Sequence, residues 1–183
     1  MKEVTKKDLK RWNACQDGFD FWVKNCEGKP NIKQIQILAE YRFNWANWIL
    51  SRILDKKQRI KYAIFSAELV LNIFEKKYPE DTRPRAAIEA AKKVLLKNTK
   101  ANRDAAYAAA YAAYTAADAA YAAYTAAYAA YAAYTITSAA ASAAYTADAA
   151  DAASAAYTIT YAAADACEIK IINYGLALLK GEN

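Results

Sequence analysis

The sequence predicts an all-α fold, a compact bundle of roughly six to eight helices that includes long Ala/Tyr-rich ones. Three observations predict it. Apolar residues recur at three- and four-residue steps through the first hundred positions. Glycine and proline are scarce, four and three in 183 residues. From Ala105 to Asp165 the chain is almost entirely Ala, Tyr, Thr, Ser and Asp, and alanine is the best helix former. The length suits one helical domain over 1–183, with a basic half, 1–100, and an Ala/Tyr-rich half, 101–183.

The elements follow in order. "TKKD" at 5–8 is a capping-box pattern with Thr5 as N-cap and Asp8 three residues on. Leu9, Trp12, Cys15, Phe19, Trp22 and Cys26 then make one apolar face, and Gly28 and Pro30 end the first helix. A second helix starts near Asn31, with Ile35, Leu38, Tyr41, Trp45, Trp48 and Ile49 as its stripe. Asp55 and Gln58 open a third, with Ile60, Ala63, Ile64, Ala67, Leu71 and Phe74 on its inner face. It must stop before Tyr78-Pro79, because the residue ahead of proline avoids the helical region. Thr82 or Asp81 caps a fourth helix, and Pro84 suits its first turn.

An unbroken helix over the Ala-rich run would reach roughly 90 Å at 1.5 Å per residue. It must therefore bend back, and "YTITS" at 134–138 and "ADAADAAS" at 147–154 are the best breaks. "AAYT" occurs with its tyrosine at 114, 124, 134, 145 and 157, which is not a fixed-period solenoid. Thr115, Thr125 and Thr135 stand ten apart and cannot share one flat face, which argues against ice binding. Tyrosine belongs at a membrane interface rather than its centre, so the run is no membrane span.

Composition narrows function. There is no histidine, hence neither the commonest general base nor the commonest metal ligand. No Gly-rich phosphate loop and no nucleophile–base pair appear, and Asp148 and Asp151 read as cap or solvated carboxylates. The chain is expected to be no enzyme and to need no metal or cofactor. Cys15, Cys26 and Cys167 show no metal or redox spacing, which points to a reducing cytoplasm. No charged and apolar leader pattern opens the sequence, so no signal peptide is expected.

Charge is uneven. Residues 1–100 hold 22 Lys and Arg against 12 Asp and Glu, and residues 101–183 hold 3 against 7. A basic half attracts nucleotides, acidic protein or nucleic acid. No nucleic-acid reading motif appears, so a long nucleic acid is not the expected partner. Arg83 and Arg85 flank Pro84 at a helix start, where cations are disfavoured by the dipole. Glu80, Asp81 and Glu89 could compensate, or a bound anion could. On a helical wheel Tyr107, Tyr111, Tyr114, Tyr121 and Tyr128 fall on one side, a stripe that can pack a neighbouring helix or stack on bases.

"ACQDGFDFW" at 14–22, "NWILSRILDKKQRIKYAIFSAELVLNIFEKKYPEDTRPRAAIEAAKK" at 47–93 and the Ala-rich tail resemble a phage and bacterial immunity-protein family of Ala-rich helical chains. The resemblance runs from about residue 10 to 165, and "YPEDTRPR" is its specific part. It implies a phage origin and, by analogy, a sponge that sequesters a cyclic nucleotide signal of CBASS-type host defence without cleaving it. On that reading the host cytoplasm holds a homo-oligomer that binds a cyclic di- or trinucleotide. Arg83 and Arg85 would take phosphate, and Tyr78, Tyr107, Tyr111 and Tyr114 would stack on bases. The alternative is an immunity protein that binds and neutralises a toxin or defence effector, with tyrosines as interface anchors.

Overall fold

The computed structural model describes residues 3–121 and 165–182, with the backbone alone at 70, 73–74, 77, 110–111, 113–121 and 165–167. Among the described residues there are eight helices and no strand: α1 (Lys6–Arg11), α2 (Gln16–Asn25), α3 (Asn31–Tyr41), α4 (Phe43–Ile53), α5 (Lys56–Lys77), α6 (Arg83–Leu96), α7 (Lys100–Tyr121) and α8 (Asp165–Lys180). The fold is all-α. Both expected breaks in the Ala-rich run, 134–138 and 147–154, lie outside the described residues.

The capping signals work as expected. Asp8 N donates to Thr5 Oγ1 at 3.3 Å and Thr5 N donates to Asp8 Oδ2 at 3.1 Å, a reciprocal box. Asp55 and Gln58 repeat it at the start of α5, at 3.0 and 2.8 Å. Gln58 Nε2 also reaches Leu178 O on α8 at 2.6 Å.

Two expected helices are each split in two. The first stops at Trp12 because Asn13 enters the left-handed region at φ 55°. Asn13 N then donates to Lys10 O, and Ala14 N to Leu9 O, the paired closure of a Schellman end. Asn is among the few side chains that tolerate this conformation. The second splits at Arg42, whose φ of −151° and ψ of 110° are extended, while its N–H still closes α3 on Leu38 O. No Gly or Pro marks that corner.

The core gathers one face from most elements. Leu9, Trp22, Ile35, Leu38, Leu50, Leu54, Ile88, Ile171 and Leu178 are essentially inaccessible. α3 packs on α4, α5 on α6, α6 on α7, and α8 lies across α3, α4 and α5. The inner face of α5 is as expected at Ile60, Ala63, Ile64, Ala67 and Leu71; the Phe74 side chain lies outside the described set. Polar groups tie the N-terminal segment down. Val4 N donates to Asn31 Oδ1 at 2.8 Å, and Gln34 Nε2 reaches Val4 O and Cys26 O at 3.4 and 3.3 Å. Deeper in, the Tyr62 hydroxyl donates to Asn47 Oδ1 at 2.7 Å.

Burial pushes the Cys26 thiol from its ordinary 9.0 up to about 11, with Lys29 opposing weakly. The folded value is the higher one, so the unfolded thiol ionises first as pH rises. Its contribution to stability is therefore complete below pH 9 and lost between pH 9 and about 11. The loss should be on the order of 2 kcal/mol. Urea unfolding from neutral to alkaline pH should show that slope in the native chain and a shallower one in Cys26→Ala. Tyr62, also raised by burial, extends the decline to higher pH in both.

Candidate functional site

The α5–α6 corner holds the residues singled out for an anion. "YPEDTRPR" forms the turn: α5 ends at Lys77 and α6 begins at Arg83. Thr82 stands at the N-cap position but makes no side-chain cap, and Asp81 Oδ1 accepts from Arg83 N at 3.1 Å instead. Pro84 sits in the first turn. Asp81 also takes the Arg83 guanidinium in two bonds, Nε at 2.9 Å and Nη2 at 2.7 Å. These bonds hold the Asp81 carboxyl below its ordinary range. Arg85 makes the same fork on Glu75 of α5, both bonds at 2.6 Å. Lys92 continues the line, bridging Glu68 and Glu89 at 2.8 Å each. Thus both arginines are charge-matched by their own chain, Arg83 by Asp81 as foreseen and Arg85 by a carboxylate ten residues away.

Tyr78 and Arg83 line one shallow depression at this corner, together with Pro79, Glu80, Asp81 and Thr82. Tyr107 stands on α7 with 55% of its surface exposed. Tyr111 and Tyr114 belong to α7, and their side chains lie outside the described set. The connection from α6 to α7 is short and the two helices pack together, so they run antiparallel.

A second surface was not foreseen. Tyr41, Trp45, Trp48, Trp12 and Phe19 were expected on buried stripes. Tyr41 is instead 58% exposed, and the other four are only half buried. Tyr41, Trp45 and Trp48 stand on either side of the corner at Arg42, and Trp12 and Phe19 on either side of the break at Asn13. There Phe21 stacks on Tyr41 with centroids 4.2 Å apart, and both meet Trp45, at 5.6 and 5.5 Å. Trp12 meets Trp48 edge-on at 6.1 Å. Guanidiniums lie over these rings: Arg42 over Trp45 at 5.2 Å, Arg52 over Trp48 at 3.7 Å and Arg11 over Trp12 at 5.7 Å. The signal in the sequence was the choice of Trp and Tyr where a buried stripe ordinarily carries Leu and Ile. Such rings keep an apolar body and a polar edge, which suits a half-exposed seat.

Among the described residues no three His, Cys, Asp or Glu side chains group as metal ligands, and no helix is long and apolar enough to cross a membrane. Cys15 and Cys26 are free thiols.

No curated protein and no solved structure matches the chain. The family model described as Imm-5 like putative immunity protein matches residues 50–172. The match takes in the α5–α6 corner and begins inside α4, so "ACQDGFDFW" and most of the aromatic face stand before it. Since the match spans well over half of its length, the chain belongs to the Imm-5 like immunity protein family.

Proposed function

We propose that the protein is an immunity factor that binds a toxin or defence effector protein and neutralises it by occupation, without chemistry of its own. The observation that carries this is the aromatic and arginine face of α1–α4. Tyr, Trp and Arg are the residues that dominate binding energy at protein interfaces. Here they are already stacked on one another, so little side-chain freedom remains to be lost on docking. The positive balance of the first half would speed encounter with an acidic partner.

The test is co-expression with each neighbouring gene product, read as rescue of growth, followed by calorimetry on the pair that rescues. Tyr41→Ala should weaken that complex by about tenfold or more, which is about 1.4 kcal/mol. The same change should cost about 1 kcal/mol of folding stability, from the lost stack on Phe21, and leave the fold intact. Absence of rescue by any neighbouring pair would sink the reading.

A second reading is favoured by the gathering of Tyr78, Arg83 and Arg85 at one corner. On it, the protein is a homo-oligomeric sponge for a cyclic di- or trinucleotide, with Tyr107, Tyr111 and Tyr114 contributing from α7. A phosphate would have to displace Asp81 from Arg83 or Glu75 from Arg85. Exposed pairs of this kind contribute about 0–1 kcal/mol, so displacement is modest in cost. A ligand at a hundred times its dissociation constant should stabilise the fold by about 2.7 kcal/mol. A thermal-shift series with cyclic nucleotides should therefore show a rise that Arg83→Ala with Arg85→Ala abolishes. A flat series with every cyclic nucleotide removes the sponge and leaves the protein-binding reading untouched.

A further inference from the structure

We propose that the cavity between α1, α2 and α4 receives one aromatic side chain from an acidic segment of the partner protein, an inference that rests on the protein-binding reading above. The cavity measures about 230 Å³, and its walls include Trp22, Trp45, Trp48, Leu38, Gly18 and Cys15. An apolar cavity of about 150 Å³ holds a benzene molecule, so this one has room for a ring and the atoms that link it to a backbone. Indole walls favour an aromatic occupant, because rings gain edge and offset contacts beyond simple burial.

Trp22 is only 2% exposed, and its ring is part of the wall, so an occupant packed against it would change the surroundings of its indole. Gly18 forms another part of the wall. It stands in the first turn of α2, where alanine would favour the helix. A Cβ there would meet Cys15 Sγ at 3.1 Å and Trp45 Cε2 at 3.4 Å. Glycine thus spares the Cys15 thiol a tight contact, and the Trp45 edge stands at ordinary packing distance from the same point of α2.

Charge at the rim selects the sequence around the ring. Arg42 covers Trp45 and Arg52 covers Trp48, two of the three indole walls, and Lys10 lies 5.7 Å over Phe19 next to Gly18. Arg11 is held by Asp8 at 2.9 Å, and Asp20 on α2 accepts from Gln16 at 2.8 Å. Lys10 and Arg42 make no salt bridge among the described residues. Carboxylates flanking an aromatic anchor would meet these two cations, whereas flanking ammonium groups would be repelled.

The experiment uses the full chain labelled with nitrogen-15 and follows the indole N–H signals of its four tryptophans. Three capped tripeptides serve as probes: Asp-Phe-Asp, Asp-Ala-Asp and Lys-Phe-Lys. Asp-Phe-Asp should move the Trp22 signal saturably, Asp-Ala-Asp should not, and Lys-Phe-Lys should bind at least about tenfold more weakly. Gly18→Leu should abolish the response. Arg42→Glu, an exposed change that keeps the fold, should weaken Asp-Phe-Asp and strengthen Lys-Phe-Lys. A silent Trp22 signal with all three peptides, or equal binding of the acidic and basic ones, overturns the inference. If the neighbouring gene product binds while the peptides leave Trp22 unmoved, the cavity inference fails alone. If the acidic peptide binds while no neighbouring gene product does, the protein-partner reading fails and the cavity remains a peptide site.

Discussion

Gly175→Val should destabilise the fold by about 3 kcal/mol, the upper part of the range for overpacking a filled core. Gly175 lies in α8 where that helix crosses α4 and α5. A Cβ at this position would stand 2.8 Å from Leu50 Cδ1 and 2.9 Å from Tyr62 Cε2. Neither neighbour has free space to move into. Leu50 is wholly buried, and the Tyr62 ring is anchored through its hydroxyl to Asn47. Valine adds two methyls to that clash. Gly175→Ala already brings the carbon that meets both contacts, and the better helix propensity of alanine, about 1 kcal/mol, offsets only part of that cost. The two variants should therefore rank in urea midpoint, with alanine below the native chain and valine further below it.

Leu50→Ala should cost about 3 kcal/mol on its own, through lost burial and the hole left behind. The informative measurement is the double variant. With Leu50 shortened, the Cδ1 and Cδ2 atoms that Gly175→Val would strike are gone, and valine takes part of the vacated volume. The pair should be less destabilising than the sum of the singles by more than about 1 kcal/mol. Strict additivity would mean that Tyr62, not Leu50, sets the close approach of α8.

These two positions also show how far the sequence could be read. The third helix was legible from Asp55 to the Tyr78-Pro79 stop, because its cap, stripe and breaker are all local signals. The close approach at Gly175 was not, since Leu50 and Tyr62 are more than a hundred residues distant along the chain. The splits at Asn13 and Arg42 were missed for different reasons. Asn can adopt the left-handed region but rarely advertises it, and the Arg42 corner carries no breaker at all. Continuous helices placed Tyr41, Trp45 and Trp48 on buried stripes, whereas beside the Arg42 corner Tyr41 is exposed and both indoles are half buried. At the α5–α6 corner, Asp81 as the partner of Arg83 was within reach of local reading. Glu75 as the partner of Arg85 required knowing that α5 and α6 fold back together.

The seat of α8 across α3, α4 and α5 sets a timetable for synthesis. About 90 residues separate the end of α5 from the start of α8, and a ribosome adds roughly 5–20 residues each second. For several seconds after α4 and α5 emerge, Leu50, Tyr62 and Phe65 have no α8 to cover them. Their burial waits on late-arriving contacts at long sequence separation, the kind that slows folding. A nascent chain held before α8 emerges should bind a chaperone through this surface and release it once Ile171, Ile172, Leu176 and Leu178 have docked.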